Sequence, residues 1–270
     1  MLRLAVRVHR SEAEIVLAEL LELAPSGVEE VDVSEDQIEY AVYGAPGELP
    51  ELPDLRAAAG AALVEVRTEE IADDWSERWR EFHRPLVLGD RLTVRPPWEP
   101  PGATALDLVI DPGRAFGTGA HATTRLCLEL MLGLEPSGSF LDLGCGSGVL
   151  ALAAAKLGWD PVLALDYDPA SVAATAANAR VNGVTLRVRR HDLREAPTPA
   201  AQTIAANLLG PLLRTWARGC AATGAPGAQV VASGMLGHEA DGVAAAFGAC
   251  GLREHERRIS GDWAALLLTG

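Results

Sequence analysis

The 270-residue sequence has little that would bind a metal, form disulfides or cross a membrane. Its four cysteines, Cys127, Cys145, Cys220 and Cys250, show no C-x-x-C spacing, and its six histidines are scattered without paired ligand spacing. These patterns predict reduced thiols and no metal site. No apolar run reaches the ~20 residues that span a bilayer. Residues 1–8 alternate in polarity as a strand does, so we expect no signal peptide, and the predicted reduced thiols indicate the cytoplasm.

Basic residues are scarce in the first third of the chain. Residues 1–86 contain 20 Asp and Glu against 8 Arg, a net charge of −12, whereas residues 87–270 contain 17 against 15 Lys and Arg, a net charge of −2. So acidic a surface repels phosphate backbones, and we expect no direct nucleic-acid binding. It would attract a basic protein partner over long range, although ordinary solvation of a small acidic domain explains the charge equally well.

A glycine-rich turn follows the apolar run that begins at Phe140. The pattern is Asp142-x-Gly144-x-Gly146-x-Gly148, and an Ala-rich stretch comes next. Glycines at a strand-to-helix turn let the backbone approach a ligand closely. A dinucleotide fingerprint would have its third glycine at position 149, which is valine here. We therefore predict an S-adenosylmethionine pocket, with Asp142 and the three glycines as cofactor-binding residues.

A second acidic residue lies where such a pocket needs one. Asp166 follows the apolar strand 161–165, at the carboxyl end of the next predicted parallel strand. A doubly wound sheet places there the carboxylate that accepts the ribose hydroxyls. The alternative is that Asp166 or Asp168 caps the helix that opens at Pro169. We assign the cap to Asp168 and the ribose to Asp166.

The first 70 residues predict a small ferredoxin-like α+β domain. Their element order is βαββαβ, with strands at 2–8, 27–33, 37–43 and 62–68 and helices from Ser11 and at 54–59. Residues 71–88 predict a linker helix, in which Trp75, Trp79 and Phe82 form an aromatic stripe.

Residues 89–270 alternate strand and helix, which predicts a Rossmann-like α/β domain with a parallel sheet. An additional strand is predicted at 91–94. The strands assigned to the sheet are 106–110, 139–144, 161–166, 184–190, 202–208, 228–234, 252–260 and 263–269. The last two are too close for a helical crossover, so we expect them to pair as an antiparallel hairpin.

A glycine-rich loop precedes this sheet. Its sequence is Asp111-Pro-Gly-Arg-Ala-Phe-Gly-Thr-Gly-Ala-His-Ala-Thr-Thr124, and it can close over a cofactor and a substrate. Together with Leu141-Asp-Leu-Gly-Cys-Gly-Ser-Gly148, it resembles the ribosomal protein L-eleven (L11) methyltransferase family, PrmA. Further matches are Asp74-Trp-x-x-x-Trp79, Pro85-x-x-x-Gly89, Ala206-Asn-Leu208, Ser233-Gly234 and Asp262-Trp263. The resemblance runs from about residue 72 to the last residue.

The resemblance implies a class I fold that uses S-adenosylmethionine to methylate lysine ε-amines and the N-terminal α-amine of ribosomal protein L11. It implies that Thr124 contacts the methionine end of the cofactor and that Gly144 passes beneath it. It places Asn207 beside the reactive centre. It also implies that the first domain docks the ribosomal protein and that the linker lets that domain swing. Phe116 and Gly117 of the loop are further cofactor-binding candidates.

Other candidates have two interpretations each. Asn207 either orients the acceptor amine or is a turn residue that ends a strand. His121 is a candidate base or a structural hydrogen bonder. Asp192 either accepts from the adenine amino group or is a solvated loop carboxylate. The acidic residue usual before the Ala-Asn motif is replaced by Gln202 here, and Leu208 replaces the commoner Ile, which leaves the acceptor open.

We expect a monomer that acts on L11. The alternatives are a related methyltransferase for another protein lysine or a small amine, and a non-catalytic cofactor-binding or ribosome-assembly module. Asp142, Gly144, Asp166 and Asn207 are all present, which argues against the non-catalytic alternative.

Overall fold

The computed structural model describes residues 2–13, 16–17, 20, 28–34, 36–44, 49–50, 52–70, 84–111, 121–219 and 229–270. The chain divides into two compact units, residues 1–82 and residues 83–270. Among the described residues, no helix is long and apolar enough to span a bilayer. Residues 71–83 of the predicted linker helix, which carry its aromatic stripe, lie outside the described residues. The helix prediction was wrong for residues 86–88, which form a strand paired with residues 92–94.

The first unit is an antiparallel sheet with one apolar face. Its elements are β1 (Leu2–His9), β2 (Glu29–Asp32), β3 (Gln37–Gly44), α1 (Leu52–Ala59) and β4 (Leu63–Glu70). The strand order is β2-β3-β1-β4, which is the order of a ferredoxin-like sheet. Alternate residues of β1 and β3 pack with Leu55 in a core that also contains Val16 and Leu20. The helix predicted from Ser11 lies largely outside the described residues.

The second unit begins with a three-stranded sheet that the sequence did not predict. It contains β5 (Leu86–Leu88), β6 (Leu92–Arg95) and β7 (Leu106–Val109), in the order β5-β6-β7. The placement of strand 106–110 in the main sheet was wrong, because β7 pairs in parallel with β6 instead. Side chains hold this pair together, since the Arg95 guanidinium binds both Asp107 carboxylate oxygens. Polarity along a strand predicts the strand but not its partner.

The main sheet has seven strands. They are β8 (Phe140–Leu143), β9 (Val162–Asp166), β10 (Arg187–Arg190), β11 (Thr203–Asn207), β12 (Gln229–Leu236), β13 (Arg253–Ser260) and β14 (Trp263–Thr269). Their order is β10-β9-β8-β11-β12-β14-β13. Neighbours from β10 to β12 are parallel, and β14 runs antiparallel to both β12 and β13. The predicted Rossmann-like sheet and its terminal hairpin are therefore confirmed.

Helices cover both faces of this sheet. They are α2 (Ala122–Leu132), α3 (Val149–Leu157), α4 (Pro169–Val181), α5 (Gly210–Ala217) and α6 (Ala240–Gly248). One core includes the buried residues of α2 and α3, and the second includes those of α5 and α6. The strand order reverses between β8 and β11, which makes their carboxyl ends the topological switch point where ligands bind in open α/β sheets.

Candidate active site

The glycine turn after β8 has a backbone that only glycine adopts without strain. Gly144, Gly146 and Gly148 have φ angles of +76°, +52° and +85°. The Gly144 N–H donates to the Leu165 carbonyl at 2.8 Å, and the Gly148 N–H donates to the Cys145 carbonyl at 2.7 Å. These bonds fix the turn at the switch point and lead directly into α3, as the sequence predicted.

Asp142 lies under this turn and is almost completely buried, with 1% of its surface exposed. Its Oδ2 accepts from the Ala151 N–H at 2.9 Å, while Oδ1 is buried and has no hydrogen-bond partner within the described part of the chain. Burial raises the pKa of Asp142 to about 7; the Ala151 N–H opposes this rise and the charge of Asp166 adds to it. The carboxyl group thus holds the first turn of α3, and its role towards the cofactor stays a prediction.

Asp166 ends β9 beside the glycine turn. Its Oδ2 accepts from the Gly146 N–H at 2.9 Å, and its Oδ1 accepts from the Asp168 N–H at 3.0 Å. Each carboxylate oxygen has capacity for a further hydrogen bond, which suits it to ribose hydroxyls. Asp168 caps α4 as predicted, because its carboxylate accepts from the N–H groups of Ala170 and Ser171.

The structure brings Asn207 and Thr124 together at the end of β11. The Asn207 Nδ2 donates to the Thr124 Oγ1 at 3.4 Å, and Thr124 is buried in the first turn of α2. The Asn207 Oδ1 is buried and has no hydrogen-bond partner among the residues that the structure describes. A buried amide oxygen without a donor is costly, so this atom is ready to accept a hydrogen bond from a bound molecule.

His121 is the N-cap of α2. Its Nδ1 accepts from the Thr123 N–H at 3.3 Å and lies 2.8 Å from the Thr123 Oγ1. The ring also packs edge-on against Trp263, with the centroids 4.8 Å apart. Burial lowers the pKa of His121, so the ring is neutral at pH 7. These contacts favour the structural interpretation over the base.

Asp192 lies in the loop after β10 and binds Arg194. Arg194 Nη2 donates to its Oδ2 at 2.6 Å, and the Arg194 backbone N–H donates to its Oδ1 at 2.9 Å. The side chain and then the backbone N–H of Arg194 lower the pKa of Asp192 to about 2. A contact with adenine stays a prediction. Phe116 and Gly117 lie outside the described residues.

Sequence reasoning missed Asn178, a buried residue of α4. Its Oδ1 accepts from the Asp111 N–H at 3.1 Å, and its Nδ2 donates to the Ser147 carbonyl at 2.9 Å. One carboxamide therefore connects the start of the 111–124 loop with the glycine turn. The available signal was Asn178 itself, because an asparagine inside a helix lowers helix propensity and needs another purpose.

Two residues depart from the family pattern, Gln202 and Leu208, and only Leu208 lies at the site. Gln202 is at the amino end of β11, opposite the end that carries Asn207, and its Oε1 accepts from the Ser139 N–H at 3.0 Å. Gln202 therefore fastens β11 to the start of β8. Leu208 does lie at the site, because its side chain covers Gly144, where an added Cβ would be 2.5 Å from the Leu208 Cδ2.

Comparisons with known proteins agree with this geometry. The family model described as Ribosomal protein L11 methyltransferase (PrmA) matches residues 51–269. A ribosomal protein L11 methyltransferase of Pelotomaculum thermopropionicum is 41% identical over 211 residues, which cover 76% of this chain and 68% of that protein. One of Herpetosiphon aurantiacus is 40% identical over 227 residues, which cover 74% and 71%. A crystal structure of ribosomal protein L11 methylase from Lactobacillus delbrueckii subsp. bulgaricus matches with a TM-score of 0.61 and 28% identity, covering 69% of this chain and 98% of that one.

Proposed function

The chain belongs to the family of ribosomal protein L11 methyltransferases, and from this premise we propose which residues act and which amines they methylate. The enzyme is an S-adenosylmethionine-dependent methyltransferase of ribosomal protein L11. The acceptors we propose are lysine ε-amines and the N-terminal α-amine of L11. The observation that supports this assignment is the Oδ1 of Asn207 at the switch point of the sheet, which is buried and to which no described residue donates a hydrogen bond.

The residues at the switch point fit the cofactor. S-adenosylmethionine supplies a methyl group on a positively charged sulfonium, which is already a strong electrophile. Asp166 binds the ribose hydroxyls with the acceptor capacity that its two backbone contacts leave. Gly144 lets the backbone of the turn pass beneath the methionine end with a positive φ, and the Leu208 side chain fills the space that a Cβ at this position would take. Thr124 contacts the methionine end of the cofactor, and its Oγ1 already accepts a hydrogen bond from Asn207.

The chain's main task towards the acceptor is to hold a neutral amine in line with the methyl group. An ammonium has no lone pair, so the amine loses a proton to water before transfer. A closed, poorly solvated pocket lowers the pKa of a lysine and assists that loss. The Asn207 Oδ1 then accepts one remaining N–H and orients the lone pair. An asparagine is too weak a base to take the proton itself.

His121 positions this site instead of serving as its base. Its Nδ1 faces Thr123, the residue before Thr124, and the ring is fixed against Trp263. Because the cap orders the first turn of α2, it also orders the Thr124 hydroxyl that receives the Asn207 amide.

The first unit recognises L11 in this proposal. Residues 1–86 carry a net charge of −12, which favours a basic protein and disfavours direct contact with nucleic acid. The proposal includes a monomeric, cytoplasmic enzyme and a linker around Trp75 and Trp79 that lets the first unit move.

The test is transfer of labelled methyl groups from S-adenosylmethionine to purified L11, read by mass spectrometry of its peptides. We expect several methyl groups, confined to lysine side chains and the amino terminus. The same assay is applied to the variant Asn207→Ala. We expect this substitution to lower turnover more than it lowers cofactor affinity. Cofactor binding without transfer to L11 would move the acceptor to another protein or a small amine. A larger loss of cofactor affinity than of turnover would overturn the placement of Asn207.

A further inference from the structure

Gly234 lies in β12, one residue after the residue that pairs with Asn207. Ser233 pairs with Asn207 across the parallel strands, and the antiparallel pairing with β14 shifts register between Ser233 and Met235. Gly234 is therefore the extra residue of a β-bulge, and its φ is +85°. A bulge changes the direction of a strand locally. This bulge lies at the carboxyl ends of the parallel strands, where the candidate site is located.

The backbone of Leu208 fills the space where a side chain at position 234 would lie. A Cβ on Gly234 would be 2.6 Å from the Leu208 carbonyl oxygen and 2.8 Å from its carbonyl carbon and its nitrogen. These are main-chain atoms, so a rotamer change cannot relieve the contact. The Leu208 N–H also donates to the Ser233 carbonyl at 2.9 Å, which holds the two segments together.

We propose that Gly234 is a positioning residue for the methyl acceptor. By carrying no side chain it lets the Leu208 backbone lie directly against β12, and this contact sets where Asn207 presents its Oδ1. The inference rests on the proposed role of Asn207 and extends it to a residue that touches neither cofactor nor substrate. A side chain at position 234 pushes Leu208 away from the strand and moves the amide of the preceding residue with it.

A glycine elsewhere in the same unit provides a matched control. Gly251, between α6 and β13, has a φ of +90°, and an added Cβ there would meet nothing within 4 Å. Alanine at either position adopts the same unfavourable backbone conformation. Only alanine at position 234 also meets main-chain atoms. The difference between the two variants therefore isolates the contact with Leu208 from the backbone strain.

The experiment compares Gly234→Ala with Gly251→Ala in the full chain. Cofactor affinity is measured by calorimetry with S-adenosylmethionine, and kcat and KM by transfer of labelled methyl to L11. We expect kcat of Gly234→Ala to be at least about tenfold below that of Gly251→Ala, with cofactor affinity within about threefold for both. Asparagine, which tolerates a positive φ better than alanine, gives a second pair, Gly234→Asn and Gly251→Asn.

Several results would overturn the inference. Equal kcat values for the paired variants would show that the contact with Leu208 does not set the acceptor geometry. Loss of cofactor binding in both position-234 variants, with binding kept in both controls, would make Gly234 a requirement of the fold instead. In an Asn207→Ala background, adding Gly234→Ala should lower kcat no further, and an additive loss would also contradict the inference.

The same data distinguish failure of this inference from failure of the proposed function. If Asn207→Ala alone leaves kcat unchanged, the proposed role of Asn207 is wrong and the inference falls with it. If Asn207→Ala lowers kcat and Gly234→Ala does not, the role of Asn207 stands and only the positioning role of Gly234 is refuted.

Discussion

Replacing Asp142 with asparagine should change how the stability of the second unit depends on pH. The carboxyl group is 1% exposed, one of its oxygens has no hydrogen-bond partner among the described residues, and burial raises its pKa from 3.8 to about 7. That rise corresponds to about 4 kcal/mol by which the folded protein favours the protonated form.

The direction follows from which state holds the proton. Between about pH 4 and pH 7 the folded protein keeps a proton on Asp142 that the unfolded chain has lost. The stability that this proton contributes is complete below about pH 4 and is lost as the pH rises through about 7. From pH 5 to pH 8 the loss is about 3 kcal/mol. Asparagine carries no titrating proton, so Asp142→Asn removes this contribution to the pH dependence.

The assay is urea unfolding of both proteins at pH 5 and pH 8, followed by tryptophan fluorescence. Trp98, Trp159, Trp216 and Trp263 lie in the second unit, and Trp159 and Trp216 are buried, so a change in their fluorescence reports unfolding of that unit. The free energy of unfolding of the variant minus that of the natural protein should rise by about 3 kcal/mol from pH 5 to pH 8, because only the natural protein loses the contribution of this proton. The control is Asp241→Asn, at a side chain that is 88% exposed. A difference that stays within about 0.5 kcal/mol for Asp142→Asn would refute the buried, protonated carboxyl.

Three further results are expected. Asp166→Ala should weaken S-adenosylmethionine binding by about 1–3 kcal/mol in calorimetry, because the ribose hydroxyls lose their acceptor; unchanged affinity would reject that role. Asn178→Asp loses the donor to the Ser147 carbonyl and should weaken cofactor binding, whereas Asn182→Asp, whose side chain binds Val109, should leave cofactor affinity nearly unchanged; equal effects would contradict this difference. The KM for L11 should rise severalfold between 50 and 200 mM salt at constant cofactor affinity, because screening weakens attraction to the acidic first unit, and a flat KM would argue for ordinary solvation.

Local sequence patterns predicted which segments of the second unit form helices and strands. They predicted less completely which strands lie next to one another in a sheet. Strand β14 begins and ends at the predicted residues, because its apolar run is bounded by glycine and turn residues. Strand β7 was predicted as a strand but assigned to the wrong sheet, since its partner β6 is chosen by side chains such as Arg95 and Asp107. The three residues of β5 are too few for a periodic pattern to be recognised.

The site was predictable at positions where a backbone conformation or a helix cap requires a particular residue type. The glycines of the turn and the capping role of Asp168 belong to this class. The hydrogen bonds of Asn178 and the contact of Gly234 with Leu208 do not, because each joins segments that are distant in sequence. Only the folded arrangement shows that these residues serve the same end of the sheet.

The position of β14 has a consequence for how the second unit is assembled during synthesis. This strand lies between β12 and β13, although both precede it in the chain. Until residues 263–269 leave the ribosome, β12 presents an apolar strand edge without its partner, and such edges recruit other strands. A nascent or truncated chain that lacks β14 is therefore a candidate for chaperone capture and for aggregation, even when the glycine turn and the Asn207 strand have already formed.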